Sequence, residues 1–231
     1  MATVLLVRHG RTAANASGVL AGWTPGVALD ERGREQAAAL GARLSAVPLA
    51  TVVTSPLERC RETASALVGK RGIEPVADNR LGECRYGEWT GKELKRLAKD
   101  PLWKVVQAHP SGAVFPGPDG ESMRAMQQRA VDAVREHDSR LDEGAVWVAV
   151  SHGDVIKAVV ADALGLHLDH FQRIVVDPCS VTAVAYTPTR PFLLRLNDVG
   201  GDLGALVPPK RRGRRRARAA DAVVGGGAGT P

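Results

Sequence analysis

Cysteine and aromatic residues are scarce in this sequence, and long apolar runs are absent. Cys60, Cys84 and Cys179 are an odd set without Cys-x-x-Cys spacing. That excludes a disulfide framework or a zinc cage and leaves inert packing as their expected role. With aromatics at 4% of the 231 residues, a core must be built mainly from Leu, Val and Ala. No stretch approaches the roughly 18 consecutive apolar residues that cross a bilayer. The run Val4–Val7 is too short for a secretory core before Arg8 interrupts it. A cytoplasmic protein without membrane contact is the expectation. No G-x-x-x-x-G-K-[ST] run is present, and carboxylates and histidines do not fall at metal-ligand spacing. Neither a phosphate-binding nucleotide loop nor a metal or other cofactor is expected.

Net charge is likewise missing from most of the chain. Of 31 basic and 25 acidic residues, seven and one fall in 208–231, which leaves 24 of each elsewhere. The net charge of +6 therefore belongs to the stretch Lys210–Arg218. Clustered arginines can bind nucleic acid through phosphates, but no aromatic is interleaved for stacking and the body is neutral. Nucleic acid is not the expected partner. From Pro208 onward, Arg, Ala and Gly present no apolar face, so a disordered tail is expected. The division is a domain over 1–200 and a basic, Gly/Ala-rich tail over 201–231.

What is present alternates strand and helix. Thr3–Arg8 reads as a buried strand, and Thr51–Thr54 as a second. Asp30–Val47 reads as a helix with Ala37, Leu40 and Leu44 on one face. Pro56 opens another helix, with Leu57, Cys60, Ala64 and Leu67 inward. Pro75–Ala77 is a short strand, and Gly82–Gly120 is loop-rich with short helices at Lys92–Lys99 and Pro101–Ala108. Glu121–Leu141 is a long helix, Ala145–Val150 a strand, and Asp154–Leu164 a nearly all-apolar helix buried on most sides. Val181–Tyr186 and Phe192–Leu196 form the last strand pair. This order predicts an α/β sandwich with a mainly parallel sheet.

Two strands run directly into histidine-glycine pairs: Arg8-His9-Gly10-Arg11-Thr12 and Ser151-His152-Gly153-Asp154. In open α/β sheets, ligands bind at the carboxyl ends of strands, so the pair carries more weight than either alone. Between them lie Ser55-Pro56-Leu57-Glu58-Arg59, again after a strand, and Glu83-Cys84-Arg85-Tyr86-Gly87-Glu88-Trp89-Thr90-Gly91. Together, in order and from about Thr3 to Leu196, these four segments resemble the histidine phosphatase superfamily, the phosphoglycerate-mutase-like family.

The resemblance implies a three-layer α/β/α sandwich and a set of roles. His9 would be the residue phosphorylated in turnover, with Arg8, Arg59 and His152 on the phosphoryl group and Gly153 beside them. Glu83 would be the proton donor, with Glu58 and Glu88 as nearby rivals. Asn15 would be a further phosphate contact, although it also fits a helix cap. Trp23 is expected to pack or to wall the pocket. Ser122 is expected either near substrate or as a helix cap. Arginine suits phosphoryl oxygens because its planar fork keeps its charge and bonds two of them. Arg8 and Arg59 should oppose protonation of His9. A turn at Gly10 can accept from the other ring nitrogen and fix the tautomer. By the same field, Glu83 should be ionised in the empty site, and a bound dianion should raise its pKa.

The implied activity is a metal-independent phosphomonoesterase that acts on a small phosphorylated metabolite through phosphohistidine. A cofactor-dependent phosphoglycerate mutase shares the first half-reaction. Against it, Lys92–Gly120 is short and carries lysines with only Arg96, where mutases hold a longer insert with paired arginines. A non-catalytic or nucleic-acid-associated protein working through the Arg-rich tail is the alternative of another class. The oligomeric state is left open, a homo-oligomer included.

Overall fold

The computed structural model describes residues 2–69, 71–201, 224, 225 and 227. The elements run β1 (Thr3–Arg8), α1 (Ala13–Ser17), α2 (Glu31–Arg43), β2 (Leu49–Thr54), α3 (Glu58–Val68), β3 (Val76–Ala77), α4 (Leu94–Leu97), α5 (Pro101–Ala108), α6 (Met123–Ser139), β4 (Val146–Ser151), α7 (Gly153–Ala163), β5 (Val181–Tyr186) and β6 (Pro191–Asp198). They build a six-stranded sheet in the order β3-β2-β4-β1-β5-β6. β1, β2, β3 and β4 pair in parallel, while β5 and β6 close one side as antiparallel strands. The expected mainly parallel α/β sandwich is the observed architecture.

Strand periodicity explains the three layers. Successive side chains point to opposite faces, so β1 sends Val4 and Leu6 into one apolar cluster and Leu5 and Val7 into another. Trp147 and Ala149 of β4 join the first; Val148 and Val150 join the second. The first cluster is covered by Met126, Ala130 and Val134 of α6 and by Ile156, Val159 and Val160 of α7. The second is covered by Ala37 and Leu40 of α2 and by Cys60, Ala64 and Leu67 of α3. Trp147 is fully buried, and its indole N–H is satisfied by Asp138 of α6 at 3.0 Å. As expected from its composition, α7 is buried from Gly153 through Ala161.

Helix ends are set by caps. Asp30 accepts from Gly33 N at 2.7 Å and starts α2 one residue later than expected; Leu44–Val47 lies beyond its end. Ser122 caps α6 by accepting from Ala125 N at 3.1 Å. α1 was not expected from periodicity, because five residues hold too little pattern. Its signal is local, a Thr12/Asn15 capping box followed by Gly18 at φ +69°. Among the described residues, no helix is long and apolar enough to cross a membrane.

Much of the tail reading, including the run Lys210–Arg218, lies outside the described residues. The three described residues within it from Pro208 onward depart from expectation. Val224 is buried against the body, and Gly225 and Gly227 are half-buried beside it. Low apolar content hid this, because the docking runs largely through backbone hydrogen bonds (below), which composition does not register.

Candidate active site

Parallel pairing of β1 with β4 sets Arg8 opposite Ser151. His9 and His152 therefore leave adjacent strands at the same level, and His9 N bonds Ser151 O at 3.0 Å. Their rings lie 5.2 Å apart, edge to face. β2 contributes next to them. Ser55 N bonds Val150 O at 2.9 Å, and Ser55 Oγ stands 2.8 Å from His152 Nε2. Arg59, in the first turn of α3, is buried, with Nη2 3.3 Å from His152 Nδ1 and 2.9 Å from Gly22 O. Glu83 comes from the loop after Asn79–Leu81, which Ser151 Oγ holds through Leu81 O at 2.7 Å. Its Oε2 lies 3.7 Å from His152 Nδ1. Arg8, His9, Arg59, Glu83 and His152, spread along the chain, thus come together in space.

The loop after β1 is tightly held. His9 Nδ1 stands 2.7 Å from Gly10 O, and Gly10 N donates to Thr63 Oγ1 at 3.1 Å. A proton on Nδ1 satisfies that carbonyl and leaves Nε2 as the nucleophilic nitrogen. Gly33 of α2 packs on the same loop, where a Cβ would sit 2.0 Å from Arg11 O. Gly33→Ala is expected to push this loop outward, lowering stability by roughly 1–3 kcal/mol as overpacking does. A thermal melt with and without phosphate checks it; an unchanged midpoint would contradict this packing.

Electrostatics separates the groups into roles. Burial, then Arg59 and Arg8, holds His9 well below its ordinary pKa, so the imidazole is neutral near pH 7. His152 is depressed the same way, by burial and then by Arg59 and His9. Arg59 can only donate, so the neutral tautomer that fits keeps the His152 proton on Nε2, directed to Ser55 Oγ. Glu83 departs from expectation. Burial, reinforced by Asp154, outweighs Arg59, the Cys84 N–H and Arg8, and raises its pKa to about 7. The carboxyl is already poised between its two forms without a bound dianion. Sequence reasoning counted the arginines and missed the desolvation.

Asp154 is the group the sequence reading quoted without assigning. It is fully buried at the start of α7, where Oδ2 accepts from Tyr86 Oη at 3.0 Å and Oδ1 lies 3.6 Å from Lys157 Nζ. A carboxylate at the head of a nearly all-apolar helix was the available signal.

The pocket at His9 is lined by Thr12, Asn15, Arg59 and Glu83 on its polar side and by Ala14, Val19, Leu20, Ala21 and Leu94 opposite. Asn15 lines the pocket, and its Oδ1 accepts from Thr12 N at 3.1 Å in the capping box that starts α1. Trp23 and Ser122 do not line this space. The Trp23 indole donates to Glu83 O at 2.6 Å and stacks under the Arg85 guanidinium at 4.2 Å, facing a neighbouring cavity of about 410 Å³. It supports the Glu83 backbone. Ser122 is spent on capping α6. Gly153 is the buried first residue of α7, next to His152. A cavity of about 720 Å³ between α2 and α3 contains none of these groups.

Comparison with known proteins agrees with this geometry. Residues 4–199 match the family model of the histidine phosphatase superfamily, branch 1. A protein named probable phosphoglycerate mutase GpmB, from Erwinia tasmaniensis, is 34% identical over 187 residues, covering 80% of this chain and 85% of its own length. The solved structure of Bacillus stearothermophilus YhfR superposes with a TM-score of 0.79 at 33% identity, covering 87% of this chain and 98% of that one. The alpha-ribazole phosphatase from Shigella flexneri gives 0.75 at 26% identity, covering 87% and 99%.

Proposed function

Since this chain belongs to the histidine phosphatase superfamily, we propose that it is a phosphomonoesterase that hydrolyses small phosphorylated metabolites through a phosphohistidine on His9. One observation carries the reading. A neutral imidazole, its Nδ1 tied to Gly10 O, stands among the guanidiniums of Arg8 and Arg59 and a buried carboxyl whose pKa is about 7.

Phosphoryl transfer asks for positioning and charge stabilisation. Arg8 and Arg59, with Asn15 and Gly153 beside them, hold the phosphoryl oxygens, and His152, whose Nδ1 accepts from Arg59 Nη2, fixes that guanidinium in place. His9 Nε2 attacks phosphorus, the ester P–O bond breaks, and Glu83 gives its proton to the departing alkoxide. In the second step Glu83, now a carboxylate, takes a proton from water. The water oxygen attacks phosphorus, the P–N bond breaks, and inorganic phosphate and neutral His9 are released. Dividing one displacement into two easier ones is the gain of covalent catalysis.

A mutase reading is supported by the names of relatives such as GpmB. Hydrolysis is favoured by the pocket wall. Facing the polar side stand Val19, Leu20, Ala21 and Leu94, and the cations of the site, Arg59 and Arg8 behind Gly227, are both assigned to the phosphoryl group. An apolar wall gives no charge partner to the carboxylate of a sugar acid. Phosphate release from a panel of phosphate esters, set beside isomerisation of a phosphoglycerate with 2,3-bisphosphoglycerate present, decides between the two. Isomerisation without net phosphate release would replace the hydrolase reading.

The pH profile follows from Glu83. The acid form gives the proton, so kcat/KM should fall as pH rises through about 7. His9 is depressed well below its ordinary value, so the acid limb should lie well under pH 6.5. After burial, Asp154 is the largest influence raising Glu83. Asp154→Asn should therefore move the basic limb to lower pH. A limb that stays in place would show that Asp154 does not set the carboxyl.

A further inference from the structure

The candidate pocket is not open. Val224, far along the chain from every catalytic element, is 1% exposed and belongs to the same apolar cluster as Leu20 and Tyr86. Gly225 follows at φ +77°, and its N–H donates to Asp154 Oδ2 at 2.8 Å. Gly227 O accepts from Arg8 Nη2 at 2.6 Å. These three residues line the pocket together with His9, Asn15, Arg59 and Glu83, and the space left among them is about 30 Å³. That volume takes a water molecule or so. Sites for small organic ligands run to roughly 300–1,000 Å³.

Glycine is required for this arrangement. A Cβ on Gly225 would stand 2.8 Å from Leu20 Cδ1 and 3.6 Å from Tyr86 Oη, in a left-handed conformation that β-branched residues resist. The backbone also matches the site chemically. A carbonyl oxygen sits on the guanidinium assigned to the phosphoryl oxygens, and an N–H sits on the buried carboxylate.

We propose that the segment carrying Val224, Gly225 and Gly227 is an intramolecular competitor of the active site, docked in the pocket as a substrate surrogate and displaced before a phosphate ester binds. This rests on the phosphatase reading, since it takes Arg8 as a phosphoryl ligand. Occupation is mutually exclusive: Gly227 O already holds Arg8 Nη2, and the remaining volume excludes an ester. Displacement is chemically favourable for the right ligand. A phosphate dianion brings an opposite charge to the Arg8 guanidinium, which the neutral Gly227 O does not. A neutral metabolite gains no such advantage, so the segment screens the pocket against ligands lacking an oxyanion. Because competitor and site share one chain, the occlusion is independent of protein concentration.

The test uses the full chain with Gly225→Val and, separately, Val224→Asp, neither of which alters a catalytic group. Orthovanadate binding is measured by calorimetry, and turnover of p-nitrophenyl phosphate is measured in parallel. Freeing the pocket should tighten vanadate binding and lower KM by about fivefold or more, the factor by which occupancy dilutes the competent state, with kcat little changed. A synthetic peptide spanning Ala222–Gly229 should raise KM again in the variants. Equal vanadate affinity in wild type and both variants would overturn the competitor and leave the phosphatase reading standing. Weaker binding in the variants would also overturn it, because the segment would then complete the site. Vanadate bound by none of the three proteins would remove the phosphatase reading and the competitor with it.

Discussion

His9→Ala is expected to abolish phosphate release, with a loss in kcat of roughly 10⁴-fold or more, the scale seen when a covalent nucleophile is removed. The expectation is large because neither of the nearest alternative nucleophiles among the described residues, His152 and Cys60, can substitute. His152 is fully buried, and its ring nitrogens face Ser55, Arg59 and Glu83. The Cys60 thiol is pushed up to about 12 by burial, so no thiolate is available near neutral pH. The variant should still bind vanadate, because Arg8 and Arg59 remain. Wild type quenched during turnover should carry an acid-labile, base-stable phosphoryl adduct, and the variant should carry none. Substantial turnover by His9→Ala would end the phosphohistidine mechanism.

Glu83→Gln carries the second large effect, and it acts on rate and stability in opposite directions. Losing the proton donor should lower kcat by roughly 10²–10⁴-fold and flatten the basic limb of the profile. Stability should rise. Glu83 is raised from 4.5 to about 7 in the folded chain, so the fold favours the neutral carboxyl. That contribution is intact below pH 4.5 and is lost as pH climbs through 7. Above 7 the cost is on the order of 3 kcal/mol. Glutamine avoids it while keeping an oxygen for the Cys84 N–H, now 2.9 Å from Glu83 Oε1. The thermal midpoint of Glu83→Gln should therefore exceed that of wild type at pH 8 and match it near pH 4.5. A variant less stable at pH 8 would mean that burial of this carboxylate is not a strain on the fold.

Much of this was legible in the sequence because both layers and site follow from strand positions. Short apolar runs gave the strands, helical spacing gave the inward faces of the helices, and the two strand-to-histidine junctions gave His9 and His152. The segments with Arg59 and Glu83 were recognisable as motifs. What escaped depends on solvent exclusion and long-range contact. The balance at Glu83 reverses because a buried carboxylate at Asp154 adds to desolvation. Trp23 and Ser122 resemble pocket residues until their polar atoms are seen committed to Glu83 O and to a helix cap. The docking of Val224, Gly225 and Gly227 leaves no apolar periodicity at all.

The pairing of Arg8 with Ser151 has a consequence for how the molecule matures. Both imidazoles hang from one junction between distant stretches of polypeptide, so a chain emerging from the ribosome holds no functional centre until its middle strand has found its first. Contacts of such long loop closure form late and slowly. Acquisition of vanadate affinity during refolding should then coincide with the final cooperative step, and a half-made molecule would be chemically silent.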